Sequence, residues 1–217
     1  MRSFYELTSR SLFSQAPLRL RRQAGASLVV SLLMLIVVLV LSLSLATMSL
    51  QGEKASRSDR DRQIALQAAE AALKDAEMDI DPQIVVAGTR RDNFDANSNL
   101  FFEDGCAVGD ANIYQGMCAP TPEGQQPVWL SVDLAYDKSD AKSVAFGRFT
   151  GQTMMVGKSS FPAKLPRYII EAVADVEPGQ VADESTKYIF RITAIGFGAN
   201  ESTQVVLQSF YRKAMKS

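Results

Sequence analysis

The chain has 217 residues, 47% apolar and 22% charged, which suits one folded domain plus an accessory segment and excludes global disorder. Its formal net charge of -1 excludes a strongly nucleic-acid-seeking surface. It has no histidine, so the commonest general base and the commonest transition-metal ligand are missing.

The first 25 residues carry Arg2, Arg10, Arg19, Arg21 and Arg22 against Glu6 alone. A basic flank ahead of an apolar run marks the cytoplasmic side under the positive-inside rule. No charged residue occurs from Gln23 to Gly52. As a helix, Ala26 to Leu50 is about 37 Å long, enough to cross a bilayer. Its serines and threonine can bond back to helix carbonyls. Ser44-x-Ala46 resembles the small-residue cleavage site of a secretory signal. The apolar stretch ahead of it, from Ala24, is much longer than the ~7–15 residues of an ordinary signal core, so cleavage there is disfavoured.

Glu53 to Ile80 contains no proline, and the helix is predicted to continue through it. Leu66, Leu73 and Ile80 recur every seventh residue, with Ala69 and Ala76 between them, as a narrow apolar stripe. Glu70, Lys74, Asp75 and Glu77 surround it, Gly52 is a candidate bend, and Pro82 stops the helix. Asp79 and Asp81, the last carboxylates before Pro82, read as solvated turn residues and not as a catalytic pair.

Residues 83–125 read as irregular, rich in Asp, Asn and Gly. Strand-like runs follow at Val128–Leu134, Arg167–Val176, Tyr188–Ile195 and Gln204–Arg212. Gly196 to Ser202 suits the loop of an antiparallel hairpin. In the third run Phe190, Ile192 and Ala194 share one face, with Arg191 and Thr193 on the other. The amphipathic half of the long helix is the natural cover for one face of such a sheet. The expected fold class is therefore α+β, a long N-terminal helix packed on an antiparallel β-sheet. Four stretches are expected: residues 1–25 as a basic cytoplasmic flank, 26–50 as a transmembrane helix, 51–81 as its amphipathic continuation and 82–217 as an exported head.

Cys106 and Cys118 enclose eleven residues. In an oxidising compartment a disulfide is the expected state, worth about 3 kcal/mol in the chain-entropy model. A redox switch or half of a metal site are the alternatives, and two cysteines without histidine make a poor metal site. Asp95, Asn97 and Asn99 alternate as in a calcium loop, but Leu100 stands where glycine is needed and Cys106 where glutamate is needed. An ordinary Asx-rich loop is the simpler reading of residues 92–103. Asn200-Glu201-Ser202 fits a glycosylation sequon but sits in the hairpin loop. Trp129 and the pair Phe101-Phe102 could form an adhesive surface; core burial is the expectation. No catalytic residue, cofactor site, metal site, nucleic-acid surface or small-molecule substrate is predicted, and no serine–lysine pair is marked out. A membrane-tethered periplasmic enzyme or binding module is thus the least supported reading.

The junction Arg21-Arg22-Gln23-Ala24-Gly25-Ala26-Ser27-Leu28-Val29-Val30 places basic residues, a glycine and an unbroken apolar helix in succession. It resembles the class III leader of type IV pilins and pseudopilins. The stalk from Asp61 to Glu77 is similar to PilX-type minor pilins. So are Arg167-Tyr168-Ile169-Ile170-Glu171, Phe190-Arg191-Ile192-Thr193-Ala194 and Val205-Val206-Leu207-Gln208-Ser209. The resemblance implies cleavage by a prepilin peptidase after Gly25 and N-methylation of Ala26. Most pilins carry glutamate as the fifth mature residue; here that position is Val30, an apolar residue that PilX-type pilins tolerate. The implied role is a minor pilin in initiation or assembly of a type IV pilus, at the tip or in a priming complex. The implied partners are other minor pilins, the major pilin, the peptidase and inner-membrane lipid. The implied location is the bacterial inner membrane, N-terminus cytoplasmic and head periplasmic. A type II secretion minor pseudopilin is the alternative. The leader is long for this family, and a start downstream of Met1 would shorten it.

Overall fold

The structure is a computed structural model that describes residues 25–82, 90–122, 124–157, 160–175 and 187–213. The chain divides into two compact units, Met1–Gly52 and Glu53–Ser217. Helix α1 (Ala26–Ile80) contributes residues to both.

In the first unit every side chain described along α1 is exposed. The apolar window Ala26–Leu45 has a mean hydropathy of 3.1 and none of it is buried. The Ser31 and Ser42 hydroxyls donate to the Leu28 and Val38 carbonyls, at 2.9 and 2.7 Å, so these polar groups are satisfied within the helix.

In the second unit α1 ends at Ile80, one residue ahead of the Asp81-Pro82 step, because proline disfavours helical geometry in the residue before it. Its buried face differs from the predicted stripe. Ala65, Ala68, Ala69, Ala72, Ala76 and Ile80 are buried, while Leu66 is 38% exposed and Leu73 only borders the core. Ala69, Ala76 and Ile80 of the predicted stripe lie on the contact line, and Ala65, Ala68 and Ala72 complete it, while Leu66 and Leu73 fall on its flank. The small size of the alanines also lets the sheet come close. At Gly196 an added Cβ would run into the Ala65 carbonyl and the Ala69 amide.

Among the described residues the sheet has five strands: β1 (Met117–Cys118), β2 (Val144–Ala145), β3 (Arg167–Ala174), β4 (Tyr188–Phe197) and β5 (Gln204–Tyr211). The order β1-β3-β4-β5 places β5 at an edge, and β2 also pairs with β3. The long strands are antiparallel, with Ile170 opposite Ile192 and Ile192 opposite Ser209. The pairing of β1 with β3 is parallel, so the sheet is mixed and not purely antiparallel. The two-residue strands β1 and β2 are too short to carry a period-2 signal in sequence. The run Val128–Leu134, expected as a strand, instead forms a short helix α2 (Val128–Ser131) and then extends. Pro127 precedes its first turn, a position where the missing N–H costs nothing, and its carbonyl accepts from Leu130 and Ser131.

Both faces of β3 and β4 carry a hydrophobic cluster, while β5 leaves Val206 and Phe210 exposed. On one, Phe190, Ile192 and Ala194 meet Ala72, Ala76 and Ile80 of α1, with Phe94, Phe102 and Tyr168 filling the space between. On the other, Ile169, Ile195 and Phe197 are sealed by Cys106, Cys118, Val128, Val132 and Leu134. Trp129 borders this second cluster, Phe102 is buried, and Phe101 stacks on Tyr114 with ring centroids 5.1 Å apart. Core burial thus holds for Phe102, while Trp129 and Phe101 are half-buried at the margins of the clusters.

Candidate functional site

The junction read from sequence is the start of α1. Gly25 has φ 108, a left-handed value that favours glycine, and Ala26 is the first helical residue. Among the described residues beyond the chain neighbour of Gly25, no atom lies within 4 Å of where its Cβ would be. Val30 is 57% exposed in the first unit, amid other exposed apolar residues. A carboxylate at that position would face hydrocarbon in a bilayer, a setting that charged groups tolerate only when paired.

The head contains charged groups that sequence reasoning did not bring together. Asp79 is not a solvated turn residue. Its carboxylate is buried and takes Nε and Nη2 of Arg90, at 2.9 and 2.5 Å, and the Tyr168 hydroxyl at 2.9 Å. Arg90 gives Nη1 to the Ile113 and Gln115 carbonyls, at 3.0 and 2.6 Å. Its guanidinium also lies 3.8 Å from the centre of the Phe149 ring. Burial first, and the Asp79 carboxylate second, push the Tyr168 hydroxyl well above its usual value of 10. Tyr168 is therefore a fixed donor at physiological pH. Asp81, by contrast, pairs with Arg91 across 3.3 Å at partly exposed positions.

One turn before Asp79, the buried Asp75 accepts the Gly147 N–H at 2.7 Å and the Thr150 hydroxyl. Burial raises its carboxyl above the ordinary 3.8, the two hydrogen bonds offsetting part of the rise. Further up the helix the Asp61 carboxylate accepts the Asn200 N–H at 3.2 Å, and the Thr203 hydroxyl holds it below its usual value. Arg60 donates to the Ser160 hydroxyl at 3.0 Å. The buried face of the helix is therefore pinned at both ends of its contact. The signal for this in sequence is Asp75 and Asp79 four apart, on the same face as Ala72 and Ala76.

Cys106 and Cys118 form a disulfide, both sulfurs buried in the second cluster. Asp95 accepts the Asn97 backbone N–H at 2.9 Å in an Asx turn. Asn200, the first residue of the sequon, is exposed and accepts the Ser202 N–H. Among the described residues no three carboxylates or thiols converge as a metal cage. The head is braced by packing, with the buried carboxylates of Asp75, Asp79 and Glu171 each bonded within it.

Two family matches bear on this geometry. The PilX N-terminal family matches residues 24–74, and the family of the type IV pilus assembly protein PilX C-terminal region matches residues 114–213. The chain belongs to the PilX type of type IV pilus assembly protein. No curated protein and no solved structure matches it. PilX proteins are structural pilus components. The N-terminal PilX match begins just before Gly25 and runs through the apolar segment and the alanine stripe to Lys74. The C-terminal PilX match takes in Cys118, α2 and all three long strands. Residues 75–113, between the two matches, supply Asp75, Asp79, Arg90 and Cys106, the groups that close both clusters.

Proposed function

We propose that this PilX-type chain is a minor pilin that acts by assembly and not by catalysis, in the priming complex or at the tip of a type IV pilus. The first 25 residues stay in the cytoplasm, the segment 26–50 crosses the inner membrane, and the head is periplasmic. A prepilin peptidase cuts after Gly25, and Ala26 becomes the N-methylated first residue. The freed apolar rod then leaves lipid for a bundle formed with other minor pilins and the major pilin.

The observation that carries this reading is the rod itself. Its apolar side chains are exposed all round, which is unstable in water and satisfied by lipid or by other helices. Exchange of lipid for neighbouring helices gains little from dehydration, so close packing must favour the bundle. Val30 supports the tip or priming position. A chain without a carboxylate there cannot pair with the amine of the next subunit, as shaft subunits do.

The mature N-terminus tests the processing. Mass spectrometry of the protein from piliated cells is expected to find N-methylated Ala26. Retention of residues 1–25 on the pilus-associated protein overturns the reading. Immunogold labelling tests the position: gold confined to pilus ends or to the cell envelope is expected, and even labelling along shafts refutes a tip role.

A further inference from the structure

The buried arginines of the head are not treated alike. Arg90 is held by Asp79 at 2.5 Å and Arg191 by Glu171 at 2.6 Å. Arg167, the first residue of β3, is only 6% exposed, yet it makes no ion pair among the described residues. One residue holds its guanidinium instead. Nε donates to the Ser143 hydroxyl at 2.7 Å and Nη2 to the Ser143 carbonyl at 2.5 Å. The Ser143 hydroxyl is fixed in turn, donating to the Leu134 carbonyl at 3.1 Å. These bonds take the Nε–Nη2 edge and leave Nη1 without a partner. Among the described residues the polar side-chain atoms sealed from water and unpartnered are Gln115 Oε1 and Ser209 Oγ, so Nη1 of Arg167 reaches solvent. A buried carboxylate such as Asp75 can take up a proton, but an arginine keeps its charge at any pH a cell meets.

The surrounding charges do not supply the missing anion. Burial acts first to lower the Arg167 pKa; Asp110 and Asp137 oppose this through space, and Arg148 adds to it. Asp110 is engaged by the Gln115 amide at 3.1 Å, and Asp137 by Lys164 at 3.6 Å. Arg148 is exposed, lies 5.1 Å from the centre of the Phe149 ring and makes no ion pair among the described residues. Residues 83–89, 158–159 and 214–217 contain no acidic residue. Pro122 and Gly124, the neighbours of Glu123, line a cleft at Val173. Asp175 and Lys187, which flank residues 176–186, also stand beyond Val173, past the end of β3. Val173 is six residues along β3 from Arg167, about 20 Å at ~3.3 Å per residue.

A guanidinium fixed on one edge and open on the other is a fork for two oxygens of an oxyanion. A carboxylate would serve Arg167 alone. Phosphate carries more than one charge and has tetrahedral oxygens, so it can neutralise a second guanidinium at the same time. We propose that Arg167 and Arg148 bind a phosphate group, Arg167 through its open edge and Arg148 reaching in from the surface. Free phosphate and the headgroup of an anionic phospholipid share this chemistry. The proposal does not depend on the place of the chain in a pilus.

The test titrates the full-length protein, in uncharged detergent micelles, with inorganic phosphate at constant ionic strength. Binding is read by calorimetry and by the thermal midpoint. Saturable binding that raises the midpoint is expected, with no rise in chloride of equal ionic strength. Arg148→Gln should weaken phosphate binding about tenfold, the loss of one charge-assisted contact, and keep the parent's midpoint in chloride. Arg167→Lys keeps the charge but loses the fork, and should abolish binding. Should that variant fail to fold, Arg148→Gln is judged against Arg62→Gln, an exposed change on α1 that ought to bind as the parent does. A parallel titration adds phosphatidylglycerol to the micelles. Competition with phosphate extends the site to lipid headgroups, and lack of competition assigns it to free phosphate. Absence of phosphate binding overturns the proposal, as does an affinity that survives Arg148→Gln or falls equally with Arg62→Gln.

Discussion

At the scale of single residues, the buried charges set the sharpest expectations. Arg90→Met would strand the Asp79 carboxylate in a dry core with only the Tyr168 hydroxyl as donor. Loss of one partner of such a pair costs about 3–5 kcal/mol. Denaturant unfolding should therefore show Arg90→Met as strongly destabilised, and addition of Asp79→Asn should recover part of the loss. Equal additive losses in the two single variants and the double would show that the pair is not coupled. Asp75 makes the opposite kind of prediction. Burial raises its carboxyl above 3.8, so protonation favours the folded state. Its contribution is present in full below the unfolded value and is lost as pH rises through the folded one. Asp75→Asn can keep both contacts, its carbonyl accepting from Gly147 and its amide donating to Thr150. The variant should be at least as stable as the parent near neutrality, with a flatter stability profile in the acidic range above 3.8. A profile unchanged by the substitution would exclude Asp75 as the titrating group.

At the scale of elements, helix and sheet meet through small residues, and the contact has no room to spare. Gly196→Val must push α1 off β4, because the helix backbone at Ala65 and Ala69 already occupies the space of a Cβ. Overpacking of this kind costs about 1–3 kcal/mol or more, read as a lower denaturation midpoint. An unaffected midpoint would mean that the helix rides loosely on the sheet. On the opposite face the disulfide anchors a loop with little regular structure. Cys106→Ser with Cys118→Ser should cost about 3 kcal/mol from loop entropy, and more from the second cluster it opens. Increased proteolysis between residues 106 and 134, with the long strands still protected, would identify that cluster as the part released. Uniform cleavage would instead signal global unfolding.

At the scale of the whole molecule, the apolar segment governs where the protein resides. A lysine at the middle of a spanning helix costs about 2.5–3.5 kcal/mol on insertion scales. Val38→Lys should therefore lower the fraction of the chain recovered in membranes and resistant to alkaline extraction. An unchanged fraction would point to attachment by some other part. The rod and the head obey different rules. Side chains on the rod are satisfied by an apolar surrounding, while those on the head are satisfied by one another. A chain built this way is a component awaiting neighbours, in keeping with its PilX-type family.

Patterns that are local in the chain were legible without coordinates. Composition marked the uncharged rod, proline marked the end of α1, and alternation marked β3, β4, β5 and the inward faces of Phe190, Ile192 and Ala194. Tertiary structure alone decided the rest. Of the stripe read from sequence it kept Ala69, Ala76 and Ile80 and set Leu66 and Leu73 at its margin, since the close contact depends on Gly196, more than a hundred residues away. It turned Val128–Ser131 into a helix, and it buried Asp79 by bringing Arg90 and Tyr168 to it. Charge burial and close backbone approach depend on partners distant in sequence, and no period or propensity within a short window encodes them.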